Sequence, residues 1–102
     1  MLFINAQGET KGFAEVALRR DYVNGASSSP VAFLEGLFVA SDERGKGNGR
    51  ALVVAAEGWA RARGCTEIAS DTQLHNTESQ SVHVALGFVE TQRVIYYCKA
   101  LQ

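Results

Sequence analysis

Residues 31–63 decide the fold, and they read VAFLEGLFVA from Val31 to Ala40, SDERGKGNGR from Ser41 to Arg50, and ALVVAAEGWARAR from Ala51 to Arg63. The first segment carries a single charge, Glu35, in an otherwise apolar run, so it predicts a central strand covered on both faces. In the third segment, apolar residues recur every three or four positions, which predicts a helix with one buried face: Leu52, Val53, Ala56, Trp59 and Ala60. The stretch therefore predicts a strand, a glycine-rich loop and a helix.

The glycine-rich loop predicts an anion site. The first turn of a helix has backbone N–H groups without intrahelical partners, and it carries the positive end of the helix dipole. The loop lacks the P-loop pattern, and the spacing of Gly45, Gly47 and Gly49 differs from that of the dinucleotide fingerprint. A pyrophosphate is the natural ligand of such a loop, and an ordinary strand-to-helix turn is the alternative.

Composition limits the classes of function. The chain has 102 residues, 46% hydrophobic and 21% charged, with a net charge of -1, which predicts one soluble globular domain spanning residues 1–102. The charge argues against a general nucleic-acid binder, and no apolar run is long enough to span a membrane. The first residues do not form a signal peptide, and Cys65 and Cys98 lack metal-ligand spacing. We therefore expect a cytoplasmic protein with reduced thiols and without a metal, nucleic-acid or membrane partner.

The remaining pattern predicts a mixed α/β fold with the order β-β-β-α-β-α-β-β. The strands are expected at Leu2–Ala6, Phe13–Arg20, Val31–Ala40, Thr66–Ser70, Phe88–Thr91 and Arg93–Lys99. The helices are expected from about Gly47 to Gly64 and from a cap at Asn76 or Thr77 to Gly87. The long loop at residues 21–30 contains Tyr22 and is either a binding loop or a plain connector.

Two carboxylates are candidate functional groups. Glu35 lies in the middle of a strand expected to be buried, which is costly unless solvent, a partner or a ligand cation meets the charge. The adjacent Gly36 marks a bulge or a close backbone approach. Glu35 is therefore either a functional carboxylate or one half of an ion pair at the sheet edge. Asp71 follows the strand ending at Ser70, at the end where open sheets meet ligands.

The loop from Arg44 to Gly49, after a strand ending in Leu37-Phe38-Val39, resembles the acetyl-CoA loop of the GNAT N-acetyltransferases. The segment Leu86-Gly87-Phe88 after a short helix that begins near Asn76 is similar to the second half of the GNAT cofactor site. A narrower set of segments resembles the type I aminoglycoside 6′-N-acetyltransferases: Asp21–Gly25, Phe33–Val39, Ala69–Thr72, Ala85–Phe88 and Arg93–Tyr97.

This resemblance implies direct transfer of an acetyl group from acetyl-CoA to a primary amine of an aminoglycoside, and hence a role in antibiotic resistance. It implies that cofactor contacts come from Leu37, Phe38, Val39, Arg44, Gly45, Lys46, Gly47, Asn48, Gly49, Arg50 and Asn76. It also implies an acceptor pocket lined by Tyr22, Glu35 and Asp71. Because a primary ammonium must lose a proton before it attacks, Glu35 is the candidate base and Asp71 the candidate substrate clamp.

Two positions depart from the family pattern. His83 lies four residues before Gly87, where many GNAT enzymes have a tyrosine that protonates the leaving thiolate. His83 is therefore a candidate for that catalytic role, and a helix-packing or solvent-facing histidine is the alternative. Gln92 replaces an acidic residue that relatives tend to carry, so a substrate carboxylate is missing there.

The front of the sequence also departs from the family. The resemblance implies a further strand and two helices before the second family strand, and this sequence begins almost at that strand. The expectation is an N-terminally truncated GNAT fold with an incomplete acceptor pocket and an unprotected edge at Leu2-Phe3-Ile4, which favours a homodimer. Two alternatives to the aminoglycoside enzyme stay open: an acetyl-CoA-binding remnant without efficient acceptor turnover, and a GNAT enzyme for another amine.

Overall fold

The computed structural model of the protein describes residues 1–4 and 7–102, which form a sheet with the strand order β1-β2-β3-β4. The strands are β1 (Leu2–Ile4), β2 (Thr10–Arg19), β3 (Val31–Val39) and β4 (Ile68–Ser70). β2 is antiparallel to both β1 and β3, whereas β4 is parallel to β3, so the sheet is mixed, as predicted. The predicted first strand continues to Ala6, which lies outside the described residues.

Two α-helices accompany the sheet. A 3-10 turn at Ser41–Glu43 leads into the glycine-rich loop, α1 spans Asn48–Ala62, and α2 spans Thr77–Ala85. Both helices end in the hydrogen-bond pattern of a Schellman motif around a left-handed glycine: Gly64 has φ 81° and Gly87 has φ 93°. The two glycines therefore end the helices as the sequence predicts.

The buried residues form clusters on both faces of the sheet. On one face α1 covers the sheet, and Leu52 and Val53 pack with Ala14 and Leu34. On the opposite face, the loop at residues 21–30 folds over the sheet through Val23, which is only 6% exposed, and packs against Val31 and Phe33. The loop is therefore part of the core on that face and more than a plain connector.

A β-bulge interrupts the pairing of β2 with β3. Glu15 is opposite Gly36 and Val16 is opposite Leu34, so Glu35 is the extra residue on β3. The sequence predicted a bulge or a close backbone approach here, and the bulge is confirmed. Its consequence is that the residues after the bulge change face, so that Leu37 and Val39 pack in the same cluster as Leu34.

The last two predicted strands, Phe88–Thr91 and Arg93–Lys99, are wrong for this chain alone. Within the described residues no strand follows Ser70, and all residues from 89 to 102 are exposed. The β-forming side chains are present, with Ile95 75% and Tyr97 89% exposed. A strand requires a hydrogen-bonded neighbour, and the 89–102 segment pairs with no described part of its own sheet. The molecule is accordingly extended, at 52 × 32 × 30 Å.

Candidate functional site

The glycine-rich loop leads directly into the start of α1. Gly45 and Gly47 both adopt left-handed conformations, with φ 74° and 83°, and Gly47 is the N-cap of the helix. No side chain in the described part of the chain caps this helix start, and a Cβ atom at either glycine would meet open space. The N–H groups of the first turn therefore remain available to an anion, as the sequence predicts for this loop.

Cationic side chains surround this helix start. Arg44 donates through Nε to the Val39 carbonyl oxygen at 2.9 Å, and Arg50 donates to the Ala85 carbonyl oxygen of α2 at 2.7 Å. Lys46 lies 3.3 Å from a carboxylate oxygen of Glu43, while Asn48 donates to the Glu43 carbonyl oxygen at 2.8 Å. All four side chains are oriented by neighbouring loop or helix-end atoms, and the three cations, Arg44, Lys46 and Arg50, place positive charge beside the anion site.

Another ion pair fixes the turn before this loop to the sheet. Lys11 on β2 lies 3.0 Å from a carboxylate oxygen of Asp42. The hydrogen bond from Lys11 lowers the pKa of Asp42, and the same bond raises the pKa of Lys11. Both groups are solvent-accessible, so this contact sets the position of the turn more than it stabilises the fold.

Glu35 has an ion-pair partner that sequence reasoning missed. Its carboxylate accepts a hydrogen bond from Arg19 Nη2 at 2.7 Å, and the Arg19 guanidinium carbon lies 3.7 Å from the centre of the Phe33 ring. Phe33 belongs to the cluster beneath the loop at residues 21–30, so the bulged carboxylate faces the side of the sheet opposite α1. The ion-pair alternative raised for Glu35 is thus present in the structure, on a side chain that is one-third exposed.

Register brings the two candidate carboxylates to adjacent positions. The last paired residues of β3 and β4 are Leu34 and Ser70; Glu35 follows Leu34 within β3, and Asp71 follows Ser70 just past the end of β4. Tyr22 lies in the loop at residues 21–30, but its side chain is 79% exposed. The register therefore brings Glu35 and Asp71 to one end of the β3–β4 pair, while the Tyr22 side chain is open to solvent.

Beyond Leu34 and Ser70 the two parallel strands separate. β3 continues through Leu37, Phe38 and Val39, which pair with β2, whereas β4 ends at Ser70. The described part of β4 thus leaves this edge of β3 without a strand partner, and the Val39 carbonyl oxygen accepts from Arg44 Nε. Along the chain, this unpaired stretch of β3, called the opening below, lies between Glu35 and the glycine-rich loop.

Asn76 and His83 have defined structural contacts on α2. The Asn76 side chain accepts a hydrogen bond from the Ser79 backbone N–H at 3.0 Å, so the predicted helix cap is confirmed. His83 is half-buried, with Nε2 2.7 Å from Ser70 Oγ and Nδ1 2.7 Å from the Ser79 carbonyl oxygen. Its ring also contacts the Phe88 ring edge-on at 5.2 Å. His83 is therefore not solvent-facing, and its hydrogen bonds and ring contact are compatible with both the helix-packing alternative and a catalytic role.

Glu67, at the start of β4, holds the loop at residues 21–30. It accepts hydrogen bonds from the Ser28 hydroxyl and from the Ser27 backbone N–H, the latter at 3.0 Å. These bonds, that of Ser28 first, lower the pKa of Glu67 below its ordinary value. The sequence offers no sign of this anchor beyond the three serines of the loop, since the partners are about 40 residues apart.

Within the described residues, His, Cys, Asp and Glu side chains form no cluster of three that could hold a metal ion. None of the helices in that part of the chain combines the length and the apolar character needed to cross a bilayer.

Comparison with known proteins places these features in context. The model of the acetyltransferase (GNAT) family matches residues 1–88. A protein of Stenotrophomonas maltophilia named aminoglycoside N(6′)-acetyltransferase type 1 is 52% identical over 95% of this chain. Aminoglycoside N-acetyltransferase AAC(6′)-Iy in complex with CoA superimposes on 98% of the chain with a TM-score of 0.92 and 49% identity. The same enzyme in complex with the bisubstrate analog CoA-S-monomethyl-acetylneamine superimposes on 95% of the chain with a TM-score of 0.90 and 52% identity.

These matches confirm the predicted fold class and the resemblance to the aminoglycoside 6′-N-acetyltransferases. The chain spans 63% of the length of the Stenotrophomonas relative, and it covers 74% and 66% of the two solved chains.

Proposed function

Because the chain belongs to the acetyltransferase (GNAT) family, we propose that it transfers the acetyl group of acetyl-CoA directly to a primary amine of an aminoglycoside. The observation that carries this proposal is the opening between β3 and β4. It has an anion site at the start of α1 on one side and two adjacent carboxylates, Glu35 and Asp71, on the other. A pyrophosphate-bearing donor and a polycationic acceptor require this division of charge.

Acetyl-CoA would lie along the opening. The first turn of α1, with Gly45, Gly47 and Gly49 and the cations Arg44, Lys46 and Arg50, would hold the pyrophosphate, while Asn48 positions the loop. The open backbone edge of Leu37, Phe38 and Val39 would pair with the pantetheine amides in the manner of an added strand. Asn76, at the start of α2, would reach the donor from the other side. The solved relative in complex with CoA supports acetyl-CoA as the donor.

The acceptor would enter from the face that carries Glu35. An aminoglycoside bears several ammonium groups, and the carboxylates of Glu35 and Asp71 would bind two of them, with the exposed ring of Tyr22 available to cover the ligand. The bound ammonium must lose a proton to become a nucleophile, and Glu35 is the base that removes it. For this to occur the ammonium replaces Arg19 on the Glu35 carboxylate. The relative bound to a bisubstrate analog containing neamine supports an aminoglycoside as acceptor.

The exposed segment from Val89 to Gln102 supports the proposal that the protein acts as a homodimer. This segment presents Ile95, Tyr96 and Tyr97 to solvent at 75%, 79% and 89% exposure. A run of large apolar side chains of this kind is normally covered by another surface, and a second copy of the chain is the partner we propose. We further propose a cytoplasmic location, where acetyl-CoA is available, and a resistance function through loss of a positive charge from the antibiotic.

The test is release of free CoA thiol from acetyl-CoA, measured with and without aminoglycosides that carry a 6′-amine. Release that depends on the aminoglycoside is the expected result. Glu35→Gln should lower this release while leaving CoA affinity unchanged, and Glu57→Gln in the middle of α1 is the matched control. Binding of acetyl-CoA without acceptor-dependent release would contradict the proposal and favour a chain that binds the donor alone. Release with other amines only would favour a different acceptor class.

A further inference from the structure

We propose that Ser70 and His83 form a proton relay in which the Ser70 hydroxyl, and not the histidine ring, exchanges protons with the reacting group. This proposal rests on the acetyl transfer proposed above, and it assigns a catalytic role to a residue, Ser70, that the sequence did not single out. It follows from the hydrogen bonds of His83 and from the place of Ser70 at the end of β4.

The hydrogen bonds leave His83 no free nitrogen. A carbonyl oxygen only accepts, so Nδ1 must carry the hydrogen that it donates to the Ser79 carbonyl oxygen at 2.7 Å. In the neutral ring Nε2 is then an acceptor, and the Ser70 hydroxyl 2.7 Å away donates to it. This assignment follows from the hydrogen-bond network. A proton that passes between His83 Nε2 and a ligand therefore passes through Ser70.

Ser70 occupies the corner where the opening begins. It is the last residue of β4, it is paired with Leu34, and β3 continues beyond that pair without a β4 partner. Leu34 packs under α1, so Ser70, its neighbour in the parallel pair, faces the side of the sheet that holds the glycine-rich loop. Glu35 faces the opposite side, beside Arg19 and Phe33. The two groups thus flank the opening from its two faces.

The same arrangement would hold charge on the ring. If His83 takes a second proton at Nε2, its Nδ1–H still points at the Ser79 carbonyl oxygen and its new Nε2–H points at Ser70 Oγ. Both N–H groups of the imidazolium would therefore remain hydrogen-bonded without any movement of the ring. The edge-on contact with Phe88 at 5.2 Å further restricts the ring orientation. The hydrogen-bond partners of the ring therefore suit both forms that the relay requires.

Acetyl transfer moves two protons, and the relay accounts for the second. Glu35 takes the first, which converts the bound ammonium to an amine. When the amine nitrogen attacks the thioester carbon, the new C–N bond leaves a positive charge on the nitrogen. Ser70 Oγ then accepts a proton from this nitrogen and passes its own proton to His83 Nε2. As the C–S bond breaks, His83 returns that proton to Ser70 Oγ, and Ser70 donates to the departing sulfur. The nitrogen and the sulfur are bonded to the same carbon, so one hydroxyl can serve both.

The experiment compares Ser70→Ala, Ser70→Thr, His83→Gln and the double variant Ser70→Ala/His83→Gln. The matched control is Ser81→Ala, since Ser81 lies on exposed α2 surface and donates to the Thr77 carbonyl oxygen. Ser70→Ala should lower kcat by about 10² or more, the usual contribution of proton transfer by a positioned group. The affinity for CoA should stay within about twofold, and Ser70→Thr should restore most of kcat because it keeps the hydroxyl. The double variant should fall no further than either single variant, because the two residues act as a unit.

Two further readouts separate this proposal from the proposed function. The first is the slow hydrolysis of acetyl-CoA without any acceptor, in which the sulfur also needs a proton, so Ser70→Ala should lower this rate as well. The second is the imidazole nitrogen NMR spectrum of His83, which should show a protonated Nδ1 in the resting protein and a change at Nε2 in folded Ser70→Ala.

The outcomes are distinct. Wild-type hydrolysis that depends on Ser70, without transfer to any aminoglycoside, would refute the proposed acceptor and keep the relay. An undiminished kcat in Ser70→Ala, losses that multiply in the double variant, or a His83 spectrum unaffected by Ser70→Ala would overturn the relay. Wild-type protein with neither transfer nor hydrolysis would overturn both proposals.

Discussion

The body of the molecule, residues 10–70, and its carboxyl-terminal segment, residues 89–102, carry similar apolar side chains but lie in opposite environments. In the body, Leu34 is 4% exposed and Val53 is 2% exposed, under the cover of α1. In the carboxyl-terminal segment, Ile95 is 75% exposed and Tyr97 is 89% exposed. Apolar β-forming side chains create a need for a covering surface, but they do not determine whether the same chain supplies it.

The largest expected difference between the two regions is in the cost of removing a side chain. Leu34→Ala should lower the free energy of unfolding by about 2–5 kcal/mol, because it leaves a cavity between the sheet and α1. Ile95→Ala should change it by no more than about 0.5 kcal/mol in protein dilute enough to be monomeric. Urea unfolding measured at low and high protein concentration tests both values. A large cost of Ile95→Ala in the dilute sample would show that the carboxyl-terminal segment packs on its own body.

The next prediction concerns the proposed dimer. Ile95→Asp places a charge in the middle of the exposed apolar run, and it should convert the dimer to a monomer because burying an unpaired carboxylate is costly. Size-exclusion chromatography with light scattering measures the mass directly. Val54→Asp on the exposed side of α1, where Val54 is 57% exposed, is the control that should leave the mass unchanged. A wild-type protein that is monomeric at micromolar concentration would contradict the proposed assembly.

Local patterns predicted several features between residues 10 and 88 well because the determinants of each lie close together in the sequence. The bulge at Glu35, the cap at Asn76 and the glycines that end both helices each depend on a few neighbouring residues. The glycine-rich loop was likewise identified from its spacing and its position before α1. These features could be predicted because backbone geometry and helix termini follow from residue type.

The contacts that sequence reasoning missed join distant residues. Arg19 is paired with Val31 and meets Glu35 because its long side chain extends over Phe33, and Ser70 meets His83 because α2 folds back beside β4. Neither pairing has a local signature, since each depends on how whole elements pack. The failure of the last two predicted strands has the same origin: residue type indicated strands, while strand formation depends on a neighbour that the described sheet of this chain does not provide.

A smaller effect is expected where the carboxyl-terminal segment contacts the body. Gly25, in the loop at residues 21–30, has φ 82°, and a Cβ atom there would lie 2.8 Å from Thr91 Cβ. Gly25→Ala should therefore lower the free energy of unfolding by about 1–2 kcal/mol because of the left-handed backbone. Displacement of the Thr91 side chain should lower it further. Gly8→Ala is the matched control, because Gly8 has φ 79° and open space around its Cβ position. Equal losses of thermal stability in the two variants would mean that Thr91 does not rest against the loop in solution.

The smallest effect concerns the anchor that holds the loop at residues 21–30 against the body. Hydrogen bonds from Ser28 and Ser27 lower the pKa of Glu67 below its ordinary value of 4.5, so the folded protein favours the charged carboxylate. A lowered pKa in the folded state contributes stability above the unfolded pKa and loses it as the pH falls through the folded pKa. Amide hydrogen exchange should therefore show a protected loop at neutral pH and a loss of protection only below pH 4.5. Glu67→Gln should reduce protection at neutral pH and remove this acid dependence. A variant that keeps the acid transition would show that another group, and not Glu67, holds the loop to the sheet.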